Sequence, residues 1–249
     1  MYTRLSELKN LSIDAVDGEI GRCRDFLFDD QRWTVRYIEV NTRRWLLGRR
    51  VLLSPASLGI PDIAGGRLPV SLSKEEIEKA PGLHEDQPVS RQYEADYADY
   101  FGQQPYWIGS GIWGLGAYPG DLVPRTIPVP TPDKPADERA TDLHLRSASE
   151  VTGYRISAVD GELGEVSDFM IDTRSWSIVF VVLDTRRWLP GRTVLLPVAW
   201  ARDISWADRC FGVDVSVDAI KSAPELQEPV SVEAIKAYLE HFERYAREN

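Results

Sequence analysis

The sequence predicts a mainly β protein: two small β-barrel modules, each followed by a C-terminal amphipathic helix. Three observations predict this. One segment recurs at a fixed offset, short strand-like runs are broken by turn residues, and an amphipathic stretch closes each copy.

The repeat is the firmest of these. Ile13-Asp14-Ala15-Val16-Asp17-Gly18-Glu19-Ile20-Gly21 returns as Ile156-Ser157-Ala158-Val159-Asp160-Gly161-Glu162-Leu163-Gly164, an offset of 143 (158 − 15). The same offset places Asp25-Phe26 on Asp168-Phe169, Asp29 on Asp172 and Trp33 on Trp176. Thr42-Arg43-Arg44-Trp45-Leu46 falls on Thr185-Arg186-Arg187-Trp188-Leu189, and Val51-Leu52-Leu53 on Val194-Leu195-Leu196. From Ile13 to Leu53, 21 of 41 positions are identical. Ile77, Ala80, Pro81 and Leu83 then meet Ile220, Ala223, Pro224 and Leu226, and after a two-residue slip Pro88-Val89-Ser90 meets Pro229-Val230-Ser231. The modules are expected at 1–102 and 145–249, joined by an extended Pro-, Gly- and aromatic-rich linker at 103–144, whose aromatics should lie on a barrel surface.

Within a copy, Ile20 to Phe28 and Trp33 to Asn41 have the β-branched and aromatic content of a hairpin, and Asp17-Gly18 and Asp160-Gly161 supply the tight turn before it. Shorter strands are expected at Arg49 to Leu53 and Leu68 to Leu72, with counterparts at Arg192 to Leu196 and Phe211 to Val215. Tyr93, Tyr97, Tyr100 and Phe101 share a helical face, as do Val232, Ile235, Leu239 and Phe242. At the third strand, Val35-Arg36-Tyr37-Ile38-Glu39-Val40 alternates where Ile178-Val179-Phe180-Val181-Val182-Leu183 is apolar throughout. That contrast predicts one wet face in the first copy and a more buried second barrel.

Ala-Val-Asp-Gly-Glu-x-Gly, then Asp-Phe, a Trp at the next strand, and Arg-Trp-Leu-x-Gly-Arg-x-Val-Leu-Leu together resemble the PRC-barrel family, in both copies. The resemblance covers most of each copy and not the linker. It implies a small all-β docking barrel: a cap on quinone-linked chemistry in the photosynthetic reaction centre H subunit, or a protein-binding platform in the ribosome maturation factor. It carries over no catalytic residue and no cofactor. The expectation is a non-enzymatic adaptor or assembly module binding unidentified protein partners, with peripheral association to a membrane-associated electron-transfer complex. An internal pseudo-dimer follows from the duplication, and homo-oligomers stay open.

Charge narrows the alternatives. A formal net charge of −10 and a pI near 4.9 disfavour nucleic acid and anionic lipid, so an RNA-processing or ribosome-linked factor ranks second. A metal-dependent enzyme ranks third. Asp17, Glu19, Asp25 and Asp29, with Asp160, Glu162, Asp168 and Asp172, could offer oxygen ligands to a hard cation, but their spacing fits structural turns better. His84, His144 and His241 are scattered, and Cys23 and Cys210 do not align, so reduced structural thiols are expected. With neither a leader-type segment nor an apolar span, the expectation is a cytoplasmic protein. The candidate partner-binding residues are Arg43, Arg44, Trp45 and Arg49, with Arg186, Arg187, Trp188 and Arg192: guanidinium groups beside an indole, able to grip carboxylates or stack on a partner aromatic.

Overall fold

The computed structural model describes residues 1–42, 46, 49–84, 88–122, 145–184, 194–224 and 231–248. Its strands are β1 (Tyr2–Arg4), β2 (Ser12–Ala15), β3 (Gly18–Asp29), β4 (Thr34–Asn41), β5 (Arg49–Leu53), β6 (Arg67–Pro69) and β7 (Leu83–His84). They continue with β8 (Leu145–Ser147), β9 (Arg155–Ser157), β10 (Glu162–Asp172), β11 (Ser177–Asp184), β12 (Val194–Pro197), β13 (Ala201–Ser205) and β14 (Cys210–Val213). The helices are α1 (Leu5–Leu8), α2 (Lys74–Lys79), α3 (Arg91–Tyr100), α4 (Ala148–Val151), α5 (Val217–Lys221) and α6 (Val232–Glu248). The chain is mainly β, and its strands curl rather than lie flat.

Two compact units divide the chain, and neither is a continuous segment. The first comprises Glu7–Ser147 with Thr173–Ser177; the second comprises Met1–Ser6, Ala148–Asp172 and Ile178–Asn249. In the first the strand order is β6-β2-β3-β4-β5-β7, with β8 added along the C-terminal half of β3. In the second it is β13-β14-β9-β10-β11-β12, with β1 added along β10. The added strands sit in equivalent register: Tyr2 pairs with Asp172 and Arg4 with Met170, while Leu145 pairs with Asp29 and Ser147 with Leu27. Each unit therefore takes its extra strand from the stretch of chain leading into the other copy.

Repeated residues set repeated geometry. Gly21 has φ +152° and Gly164 φ +116°. A Cβ on Gly21 would stand 2.1 Å from the Asn41 carbonyl oxygen, so only glycine lets β3 pass this close to the end of β4. Trp33 and Trp176 both adopt positive φ, +49° and +58°, at the hairpin turns. A bulky residue holds that conformation only when its surroundings impose it. In the first unit, Val35 donates its N–H to the Trp176 carbonyl at 2.9 Å.

Each copy's helix locks its sheet through one tyrosine. Tyr97 on α3 packs edge-on to Tyr37, centroids 5.3 Å apart, and its hydroxyl accepts the Ser54 N–H at 3.1 Å. Tyr238 on α6 packs edge-on to Phe180 at 5.9 Å, and its hydroxyl accepts the Leu195 N–H at 3.1 Å. The donor differs for a chemical reason: the counterpart of Ser54 is Pro197, which has no N–H, so the bond falls two residues earlier on the same strand edge.

The expectation of a wet face on the first copy is overturned. Every residue from Thr34 to Val40 is buried, with Arg36 1% and Glu39 7% exposed, whereas β11 keeps Ser177, Val179 and Asp184 half-buried. The alternating charges in β4 face paired partners rather than water. Glu39 is held by Arg24 at 3.2 Å and by Arg50 at 2.8 Å. Arg36 lies beneath residues from the expected linker. Instead of running extended, 103–122 folds onto the first unit through a Gly-rich turn, where Gly111 bridges to Gly114 and Trp113 to Gly116. The remainder of that expected linker, 123–144, falls outside the described residues.

Candidate interaction site

Among the predicted partner-binding residues the structure describes only Arg49. Arg43, Arg44, Trp45, Arg186, Arg187, Trp188 and Arg192 lie outside the described residues. Arg49 begins β5 and turns inward. Its Nη1 donates to the Glu78 carbonyl at 2.6 Å and its Nη2 to that of Ala80. A guanidinium so placed satisfies the orphan carbonyls at the C-terminus of α2 and complements its dipole. For Arg49, then, holding the helix end is a sufficient role.

The repeated acids also hold backbone. Asp17 accepts the Lys74 N–H at 2.9 Å, and Asp160 accepts the Val217 N–H at 2.8 Å. Each reaches 57 residues along its copy to the first turn of the short helix that Ser73 or Ser216 already caps. Asp25 accepts the Phe26 N–H at 2.8 Å and the Ser147 hydroxyl at 2.5 Å. Its counterpart Asp168 accepts the Phe169 N–H at 2.7 Å and the Ser6 N–H at 3.3 Å, and burial raises its pKa. Asp29 binds the Gln31 and Arg32 N–H groups, each at 3.0 Å. No cluster of three or more metal-ligating side chains occurs among the described residues.

Sequence reasoning missed a buried polar cluster built around Arg36 in the first unit. Its guanidinium pairs with Asp29 at 3.1 Å and donates to the Ile112 carbonyl at 2.7 Å. It also lies 3.9 Å from the centre of the Tyr106 ring and 4.9 Å from that of Trp113. Burial lowers its pKa, opposed by Tyr106 and by the charge and hydrogen bond of Asp29. Desolvated cation–π contacts of this kind are worth about 2 kcal/mol each. The Tyr106 hydroxyl in turn donates to Glu94 at 2.8 Å, and Arg91 stands 3.1 Å from that carboxylate. Burial pushes the Glu94 carboxyl up to about 7, against the opposing pull of Arg91 and Tyr106. The Trp113 indole N–H donates to the Ser175 carbonyl at 2.7 Å. The cluster fastens 103–122 to the sheet. Its one sequence signal is an Arg on β4 where the second copy has Val179.

No helix among the described residues is long and apolar enough to cross a membrane. No curated protein matches the chain. A family model does: residues 144–218 match the PRC-barrel domain, a span that runs from the strand β8 through β14 into α5. It contains the second Asp-Gly turn, the Asp-Phe pair of β10 and the Thr-Arg-Arg-Trp-Leu segment. That segment, residues 144–218, is a PRC-barrel domain.

Proposed function

We propose that the chain is a non-enzymatic adaptor or assembly module, built from two PRC-type barrels in tandem, that binds protein partners at a membrane-associated electron-transfer complex. The observation that carries the reading is the role of the repeated acids. The repeated acids are the sequence's own candidates for the ligands of a metal-dependent site. In both copies these carboxylates accept backbone N–H groups and a serine hydroxyl inside their own unit. Both copies also carry the segment Thr-Arg-Arg-Trp-Leu. Paired Arg and Trp are the residue types that dominate the energetics of protein interfaces. The net charge of −10 argues against RNA as the partner.

The test is affinity purification of the full chain from native lysate, beside a variant with Arg43, Arg44, Arg186 and Arg187 changed to Ala. A stoichiometric protein partner held by the wild type and lost by the variant supports the reading. Equal retention removes the loops from the account, and salt-sensitive RNA in place of protein overturns it.

A further inference from the structure

We propose that a cleft on the first unit, walled by Lys9, Arg22 and Arg24, binds the phosphoryl group of a small molecule. The cleft encloses about 350 Å³, and Asn10, Cys23 and Asn41 complete its lining. That volume is of the size of a small-ligand site. The proposal concerns Lys9, Arg22 and Arg24, and its test does not depend on the Arg-Arg-Trp segments of the proposed function.

The backbone explains why these side chains converge. On β3, Arg22 and Arg24 are exposed on either side of the buried Cys23, so both emerge on one face. Pairing between β3 and β4 shifts between Cys23 and Asp25, leaving Arg24 as the extra residue of a bulge. Bulges re-aim a side chain out of the regular ladder. Asn10 adopts positive φ, +66°, at the end of the α1 turn, and its N–H bonds to the Cys23 carbonyl at 2.9 Å. That bond brings Lys9 and Asn10 against the strand.

The charged side chains of the lining are all cationic donors. Arg22 uses Nη1 on the Asn10 carbonyl at 2.8 Å, a bond that also orients its guanidinium. Arg24, with 61% of its side chain exposed, stands 3.2 Å from Glu39, a carboxylate that Arg50 already holds with two hydrogen bonds. An arriving anion can therefore draw on Arg24 without leaving Glu39 unpaired. Burial, with the nearby Asp25 and Glu39 charges, raises the Cys23 thiol to about 12, so the floor is neutral and does not repel an anion. A phosphoryl group offers three oxygens and close to two negative charges to this arrangement, where a carboxylate offers two oxygens and one charge.

The second copy serves as an internal control. At the matching positions it carries Thr152, Gly153, Glu165, Val166, Ser167 and Asp184. Gly153 keeps the positive φ of Asn10, +88°, and its N–H bonds to the Val166 carbonyl at 2.7 Å, so the backbone form is kept while the charge is reversed. Arg24 accompanies Glu39, whose counterpart is Val182, but among the described residues no acidic side chain lines the cleft beside Lys9 and Arg22, so the three cations are a local inversion in a chain of net charge −10.

Amide spectra of the full chain, titrated at constant ionic strength with inorganic phosphate and separately with succinate, test this. Phosphate should give saturable shifts at Lys9, Asn10, Arg22 to Arg24 and Asn41, and none at their second-copy counterparts, with a Kd of about 1 mM or below. Arg22→Glu with Arg24→Ser installs the residues that the second copy tolerates in the same strand, and should weaken binding at least about ten-fold. Lys9→Thr serves as a second variant should the double change unfold. Non-saturating shifts, equal shifts in both copies, succinate bound as tightly as phosphate, or unchanged affinity in the variants would each overturn the proposal.

Discussion

Replacing Glu94 by Gln should remove a pH dependence that the wild type carries between about pH 5 and pH 8. In the folded chain this carboxyl is buried and titrates at about 7; unfolded, it returns to its ordinary 4.5. Below pH 4.5 it is neutral in both states and has no effect on stability. Between the two values the unfolded chain releases a proton that the folded chain keeps, so stability falls as pH rises, by up to ~1.4 kcal/mol per pH unit. Above pH 7 both forms are ionised, and the buried charge costs about 3 kcal/mol. Gln keeps an oxygen to accept the Tyr106 hydroxyl and does not titrate. Urea unfolding of both proteins at several pH values gives wild type minus variant, which cancels the other carboxylates. That difference should move by about 2 to 3 kcal/mol from pH 5 to pH 8, in the direction of a relatively weaker wild type at high pH. Parallel curves would refute the reasoning, because Glu94 would then be equally at ease charged in both states.

Arg36→Met leaves Asp29 buried opposite no cation, and should cost about 3–5 kcal/mol in thermal unfolding while shifting Trp fluorescence to the red as Trp113 loses its cover. Tyr97→Phe and Tyr238→Phe each strand one buried N–H, at about 1–3 kcal/mol apiece by urea unfolding, and equal effects are expected because the two bonds have the same length. Asp17→Ala and Asp160→Ala should each cost about 1 kcal/mol by the same measurement, with no change in metal content. Deleting residues 2–4 should speed amide exchange at Met170 to Asp172 in the second unit and leave Leu27 to Asp29 unchanged, although the deletion adjoins the first unit in sequence.

Self-similarity made the β class and most of the strands of both copies legible, because hairpin patterning and turn chemistry are local. Asp17-Gly18 was readable as a turn. That its carboxylate crosses to the N–H of Lys74 was not, since the bond spans 57 residues and depends on how the copy closes. Arg36 was misread for the same reason: alternation in β4 signals water only if nothing covers that face, and its cover comes from Tyr106, Ile112 and Trp113, some 70 residues downstream. Tyr238 could have been found, because the 141-residue offset that aligns Pro88 with Pro229 also aligns Tyr97 with it. The exchange of β1 and β8 could not, as both copies present the same strand edge in the same register and sequence alone does not choose between them.

The docking role is tested most directly by comparing amide exchange in the free chain with that in its complex with the captured partner. The account predicts new protection at 42–50 and 185–193, with the Asp-Gly turns at 17–18 and 160–161 unchanged. Protection centred on those turns, or none at either loop, would contradict it.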